Sequence, residues 1–403
     1  MPSPTILHGS HNYFVAGGSD RYFFELSRLL EQRGHKVIPF CAADSRNEES
    51  EYARYFPRTA NSENPTPADA FRFIYSRSAH RNISQLLSEQ QPDIAHLHIY
   101  YGKLTASILP PLTDSGVPVV QTLHEYKLLC PVYTCVRDER ICEDCGGKQF
   151  WKATAHRCNR GSLVRSLASS IESYTSNLLG NRDRIDHFIG VSHFMTEKMR
   201  SIGIPEDKLS TVHNFVDTSR HEAARAEGDY LLYFGRLEAT KGLFTLLEAL
   251  RETPGLRCII AGSGPALDSL RATAERYGLT NVEFPGFISG EKLHDLVRGS
   301  ICTILPSEWY ENCPMSVLES LALGRPVIGA RIGGIPELIN KGVDGLLVEP
   351  GNAAQLAAAL CELGENPAAA ARMGAAGREK VQREFSPDVH YAKIQAVYDR
   401  VLG

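Results

Sequence analysis

No stretch of this 403-residue chain approaches 18 consecutive apolar residues, so no helix that can be read from it crosses a bilayer. Met1–Ser10 lacks the basic and apolar parts of a secretion leader. The expected location is therefore cytoplasmic, with a peripheral place at the inner membrane surface left open. Positive charge is not in excess: 43 Lys and Arg stand against 47 Asp and Glu, a net charge of −4. That excludes a nucleic-acid binder working through global charge, and no nucleic-acid partner is expected. No internal repeat of solenoid length occurs. A spread-out disulfide framework is missing too: of ten cysteines, Cys41, Cys258, Cys302, Cys313 and Cys361 are scattered, as suits a reducing compartment. The other five fall within Cys130–Cys158. What the chain does have is enough apolar content, 43%, to bury two cores of ordinary domain size.

Those cores read as α/β. Short apolar runs at Thr5–Leu7, Val37–Phe40, Asp93–His98, Val117–Leu123, Asp186–Val191 and Leu209–Val212 alternate with helical patterns in the first half. The helices expected there are Asp20–Gln32 (capped by Ser19), Ala68–Glu89, Ser162–Leu179 and Phe194–Ile202. The loop His8–Gly18 ends in Gly17-Gly18, between first strand and first helix, where glycine lets a ligand's charged groups approach the backbone. A tight turn would need glycine as well. Residues 42–66 read as a polar surface loop. His124 follows the strand Val117–Leu123, a position suited to chemistry or simply to ending a strand; His96 and His98 read as structural.

The second half repeats the alternation, and its motifs converge. Tyr230–Phe234 runs into Gly235-Arg236…Lys241-Gly242, two cations in a strand-to-helix turn, where α/β folds bind ligands. Arg by its fork and Lys as a point charge suit a diphosphate. Cys258–Ala261 ends in Gly262-Ser-Gly264, and Val282–Phe284 leads to Phe287 and Ile288. Ile301–Leu305 precedes Ser307–Ile328, in which Pro314 suits a first helical position and Gly324 the helix end. Such a helix presents the Met315 and Ser316 N–H groups and its positive dipole end to a phosphate. Glu311 lies just before it and Glu319 within it, seven residues between them. On spacing alone the pair reads first as a surface carboxylate and a core-edge one bonded to protein groups. Helices Ala353–Leu363, Pro367–Glu384 and Asp388–Val401 close the chain.

This array resembles family 4 of the retaining glycosyltransferases, enzymes of the GT-B fold with two Rossmann-like domains facing across a cleft. The Glu-x7-Glu motif and the Gly-Arg…Lys-Gly turn carry the resemblance, which runs from the N-terminus to about residue 350. It implies an N-terminal acceptor domain over 1–216 with a Cys-rich insertion at about 128–160, a linker at 217–228 and a donor domain over 229–385. A C-terminal helix, 386–403, is then expected to pack back on the first domain. It implies a nucleotide-diphosphate sugar as donor and a saccharide or lipid-linked acceptor, in the making of surface polysaccharide or glycolipid. Glu319 would take the ribose hydroxyls, Gly262, Gly264, Phe287 and Ile288 would border the base, Met315 and Ser316 would hold the diphosphate, and Asn312 would belong to the donor site. Arg236 and Lys241 would stabilise the departing charge, Glu311 would position the sugar, His124 would contact it near the reacting carbon, and Gly17 and Gly18 would face it. No Asp-x-Asp triplet occurs, so no catalytic metal is expected and protein cations take its place. Two departures stand out: Pro314 where relatives often have Gly, and His213 and Phe215 within a segment that usually reads Pro-Asn-Gly-Val-Asp. An epimerase or phosphorylase on the same fold, or a non-catalytic sugar-nucleotide-binding scaffold, are the alternatives.

Two features lie outside that site. Cys130, Cys135, Cys142, Cys145 and Cys158 show zinc-knuckle spacing, with free thiols the other reading. The resemblance implies Cys130, Cys142, Cys145 and Cys158 as ligands of a structural zinc, Cys135 as bystander and His156 in reserve. Leu163, Leu167, Ile171, Tyr174 and Leu178 form one helical stripe, and residues 152–184 hold six Lys or Arg against two acids. Such a helix either packs on its own domain or lies on an anionic membrane surface.

Overall fold

Apolar runs too continuous to alternate become strands covered on both faces, and here they form two six-stranded parallel sheets. The computed structural model describes residues 3–60, 66–224 and 227–403. In the first sheet the spatial order is Lys36–Phe40, Thr5–Gly9, Ile94–Leu97, Val119–Leu123, His187–Gly190, Leu209–Thr211. In the second it is Val282–Gly286, Cys258–Ala261, Tyr230–Phe234, Ser300–Leu305, Val327–Ala330, Gly345–Val348. Strand order in the second sheet reverses between Tyr230–Phe234 and Ser300–Leu305, the place where doubly wound sheets open a ligand crevice at the strands' carboxyl ends.

Contacts divide the chain into two units, one of Met1–Arg137, Cys142–Val212 and Tyr391–Gly403, the other of Asp138–Ile141 and His213–His390. The division falls at Val212 rather than after residue 216. Asn214 donates to the Cys313 carbonyl at 2.9 Å and the Val216 N–H to the Phe385 carbonyl at 3.0 Å, which ties 213–216 to the second unit. His213 and Phe215 belong to the same attachment. His213 Nε2 lies 2.7 Å from Glu337 Oε2, and Phe215 stacks on His390 with centroids 4.5 Å apart. The expected linker is not a free tether, since Thr218–Arg220 forms a 3-10 turn and the Ala224 N–H reaches the Leu323 carbonyl at 2.9 Å. Its residues 225 and 226, like 61–65 of the expected 42–66 loop, lie outside the described residues. The rest of that loop is not wholly polar surface, because Tyr55 and Phe56 are buried. In the final helix, Pro387–Leu402, Tyr391 bonds His35 at 2.9 Å and Tyr398 bonds His96 at 2.7 Å, both within the first unit.

Several local boundaries differ for identifiable reasons. The first helix is Gly18–Gln32, and Gly17 rather than Ser19 precedes it. Asp20 supplies the cap, accepting from the Ala16 and Gly17 N–H groups at 3.0 Å each. The expected helix Ala68–Glu89 is two, Pro67–Ile74 and Arg77–Gln90, because Ser76 caps the second through Ala79 N–H at 3.2 Å. The Ser76 N–H meanwhile donates to Thr105 Oγ1 at 3.1 Å. Helix Leu163–Leu178 forms where expected but is turned around: Ser166, Ser169, Ser170, Glu172, Ser173 and Ser176 are its buried residues, and the apolar stripe is exposed.

Candidate active site

In the second unit, adjacent strands Tyr230–Phe234 and Ser300–Leu305 send their following loops to the same sheet edge. Close approach of the two loops requires Gly242: at φ +68° it lies where a β-carbon would sit 1.8 Å from the Pro306 carbonyl oxygen. The Glu308 N–H completes the join on the Thr240 carbonyl at 2.8 Å. Lys241 Nζ thereby reaches Glu311 Oε1 at 2.6 Å and stands over the Trp309 ring, 4.9 Å from its centroid. Ser307 Oγ and Trp309 Nε1 donate to the same carboxylate oxygen at 2.6 and 2.9 Å. Burial alone would raise the Glu311 carboxyl, but the Lys241 charge and these three donors outweigh it and hold the group below the usual range. Glu311 is thus a fixed anion. With all three donors on Oε1, no protein donor among the described residues reaches Oε2. A third loop braces it: the Gly334 N–H holds the Glu311 carbonyl at 2.8 Å, and a β-carbon on Gly333 would lie 2.1 Å from that oxygen.

Helix Met315–Ala322 starts three residues past Asn312, with Pro314 as the residue before its first turn rather than its first member. Val317 N–H returns to the Pro314 carbonyl at 3.1 Å, and among the described residues no side chain caps the Met315 and Ser316 N–H groups at the helix start. Glu319 is buried on this helix. The other expected residues are placed less simply. Arg236 is not drawn to the Lys241–Glu311 hub; it pairs with Glu238 at 2.6 Å and its side chain is 74% exposed. Its backbone is pinned, since Tyr233 OH donates to the Arg236 carbonyl at 2.7 Å. Gly262 and Gly264 pack backbone to backbone on Gly235 and Leu237, where a β-carbon would come within 1.8 and 2.3 Å of their carbonyl oxygens. Phe287 projects into solvent, whereas the partly buried Ile288 packs against the core of the second sheet. Sequence reasoning left Ser307 and Trp309 without a role. Their signal was their place four and two residues before Glu311 in the same loop.

The first unit gathers histidines. Thr5–Gly9, Ile94–Leu97 and Val119–Leu123 are adjacent in the sheet and bring His8, His98 and His124 into a row. Ser27 Oγ donates to the Phe23 carbonyl at 3.0 Å, so it accepts from His8 Nδ1 at 2.8 Å. His8 Nε2 then accepts from His98 Nε2 at 2.6 Å, and His98 Nδ1 from His124 Nε2 at 2.9 Å. Neutral rings carry one N–H each, so the chain runs one way and His124 carries its lone pair on Nδ1. His98 is therefore more than the strand-end structural residue the sequence suggested: it sets the tautomer and tilt of His124. His96 keeps to a structural place, held by Thr122 and Tyr398 at 2.7 Å each. Gly17 is extended, with φ −161°, and a β-carbon there would meet nothing within 4 Å, so packing does not demand glycine.

Burial, then the nearby His124, lowers His8 to about 3, and burial, then the neighbouring rings, takes His98 well below the ordinary imidazole range. Both would titrate near 6.5 when unfolded. Lowered native values give stability that is present above pH 6.5 and is lost as pH falls toward about 3. His8 is expected to remove about 2 kcal/mol of stability between pH 7 and 5, and His98 adds to that loss in the same direction. Thermal melts should show this drop, and His98→Asn should make it smaller; a wild-type melting temperature unchanged at pH 5 would contradict the neutral chain.

None of the ten cysteines forms a disulfide. Cys135, expected to stand aside, is the partner of Cys130: its S–H donates to Cys130 sulfur, which lowers the Cys130 thiol and raises its own. Among the described residues, no three of these sulfurs lie within 4.8 Å of one another. Sulfurs on one tetrahedral zinc stand about 3.8 Å apart, so this arrangement does not close a Cys130, Cys142, Cys145, Cys158 site.

A sequence model of Glycosyltransferase Family 4 matches residues 16–220, and one of Glycosyl transferases group 1 matches residues 216–380. The glycogen synthase of Mycobacterium tuberculosis is 26% identical over 400 residues, 92% of this chain and 88% of that one. The putative colanic acid biosynthesis glycosyltransferase WcaL of Salmonella typhimurium is 32% identical over 193 residues, 44% of this chain and 48% of its own. Among solved structures, Anabaena HepE in complex with UDP-glucose superposes with a TM-score of 0.70 at 17% identity, covering 98% of this chain and 100% of that one. The chain belongs to glycosyltransferase family 4 and is a retaining glycosyltransferase of the GT-B fold.

Proposed function

We propose that the second unit binds a nucleotide-diphosphate sugar and that the enzyme passes the sugar to a saccharide or lipid-linked acceptor in polysaccharide or glycolipid synthesis. The observation that carries this reading is the Lys241–Glu311 pair beside the uncapped start of helix Met315–Ala322, at the reversal point of the sheet. Relatives named for glycogen and colanic acid synthesis, and a structural neighbour holding UDP-glucose, support the substrate class.

In the reaction the bond from the anomeric carbon to the diphosphate oxygen breaks and a bond to the acceptor oxygen forms on the same face. The acceptor's proton passes to the departing diphosphate. Lys241 and the Met315 and Ser316 N–H groups offset the charge that builds there, fixed in place before the reaction begins. Arg236 joins them by leaving Glu238, which its exposure allows. Oε2 of Glu311 takes a sugar hydroxyl, and Glu319 takes the ribose hydroxyls. Asn312 lines the diphosphate, and the Gly262–Gly264 loop with Phe287 borders the base. Protein cations replace a catalytic metal. Incubation with a panel of sugar nucleotides tests the proposal: slow release of nucleoside diphosphate from one of them is expected, whereas binding without release from any would point to a scaffold.

We assign the cysteine cluster a structural role and the enzyme a cytoplasmic place at the membrane surface. Among the described residues no helix is long and apolar enough to cross a membrane. A structural zinc would require Cys130 to exchange Cys135 for Cys142, Cys145 and Cys158. Elemental analysis of protein purified without added metal decides: about one equivalent of zinc supports such a rearrangement, and less than about a fifth excludes it.

A further inference from the structure

Helix Leu163–Leu178 is built inside out for a water-soluble surface. Its inward face is serine and one glutamate, and polar bonds lock it there. Ser170 Oγ donates to the Phe150 carbonyl at 2.7 Å, and Asn159 donates to Ser166 Oγ and Ser169 Oγ at 2.9 Å each. Glu172, fully buried, pairs with the buried Lys127 at 2.6 Å. Rotating the helix to hide its apolar side would strand that ion pair, which is strongly destabilising. The outward face is left apolar: Val164 is 76% exposed and Leu178 88%, with Leu167 and Ile171 exposed between them. Trp151, 57% exposed, extends the patch from the start of the preceding short helix Trp151–Ala155, where the Trp151 N–H donates to Tyr174 OH at 3.2 Å. A run of large apolar side chains of this extent on a monomer marks a surface that meets something.

Charge says what. Arg157, Arg160 and Arg165 are exposed around the start of the helix. From residue 151 to 178 the only acid is Glu172, and it is buried against Lys127. A second copy docked symmetrically would set arginines against arginines. An anionic bilayer would take the apolar side chains below its headgroups and the arginines among its phosphates, as amphipathic interfacial helices do.

We propose that the exposed face of helix Leu163–Leu178, with Trp151 and the arginines at its start, is the surface by which this enzyme docks on anionic membrane. It deepens the membrane location given above, and its test reads lipid binding rather than transfer, so either can fail alone. The test is co-sedimentation of the full chain with vesicles of phosphatidylcholine alone or mixed with phosphatidylglycerol. Wild type is expected to bind the mixed vesicles and to release in high salt. Leu167→Gln/Ile171→Gln/Leu178→Gln should lose about tenfold or more of that binding and stay folded at the assay temperature with at most a small drop in melting temperature, because Leu178 faces water and Leu167 and Ile171 are only half covered. Arg157→Gln/Arg160→Gln/Arg165→Gln should bind more weakly and lose the salt dependence. Release of nucleoside diphosphate without vesicles should be the same in all three proteins. Wild type that ignores the mixed vesicles, or an apolar triple variant that binds them as wild type does, overturns the proposal. So does a wild-type dimer that the apolar variant dissolves, since the face would then belong to a second copy.

Discussion

Replacing Lys241 with Met is expected to lower kcat by about a thousandfold while the KM for the sugar nucleotide changes by less than about tenfold. The reason lies in when the charge appears. A bound diphosphate is already solvated by other donors, but the negative charge released as the anomeric bond breaks grows beside Lys241, and a cation fixed against Glu311 and Trp309 need not reorganise to meet it. The substitution also leaves Glu311 buried without its cation, a change that costs about 3–5 kcal/mol. A fall in rate could then be mistaken for a fall in stability. Lys241→Met/Glu311→Gln separates the two. The double variant should recover most of the melting temperature, because the buried charge is gone, yet stay about a thousandfold slow. Recovery of rate along with stability would mean that Lys241 serves the fold alone. Glu311→Ala should behave as a milder version, mainly slowing turnover.

Glu319→Ala is expected to act on the other kinetic constant, weakening nucleotide binding by about a hundredfold and changing kcat only a few-fold. A carboxylate accepting two hydroxyls forms two charge-assisted bonds, each about 1.5–3 kcal/mol, and both exist before and after the chemical step. Binding that is uniform along the reaction alters KM rather than kcat. A nucleotide lacking both ribose hydroxyls makes the sharper comparison. Wild type should bind it as weakly as Glu319→Ala binds the normal nucleotide, and the variant should barely distinguish the two. If Glu319→Ala and Glu311→Ala both have negligible effects, the carboxylates have been given the wrong roles.

Much of this site was readable from residue order because its parts are local. Gly242 follows Lys241, Glu311 stands just before a helix, and strand-to-helix turns in a parallel sheet leave such groups at one edge. The two sheets were legible for the same reason, as short apolar runs separated by helical periods. What escaped depends on contacts far apart in sequence. Nothing near His98 says that it will meet His8 and His124; that follows from three strands being neighbours in the sheet. The Arg236 fork finds Glu238 two residues on, a choice that the motif leaves undecided. Helix Leu163–Leu178 is the clearest failure of pattern: its periodicity was right and its inward face was opposite to the usual one. Apolar periodicity identifies a helix but not which side turns inward when Lys127, Phe150 and Asn159 offer polar partners from loops outside it. Likewise the break at Tyr75–Ser76 is set by Thr105, some thirty residues away.

The central claim is that a sugar's pyrophosphate is held where helix Met315–Ala322 begins, against cations from the turn after Tyr230–Phe234. A crystal structure of the enzyme with a sugar nucleotide bound tests it most directly. The account predicts phosphate oxygens within hydrogen-bond distance of the Met315 and Ser316 N–H groups and Lys241 Nζ, with Arg236 swung away from Glu238 to join them. A pyrophosphate lying elsewhere, with Arg236 still on Glu238 and no contact to the start of that helix, would contradict it.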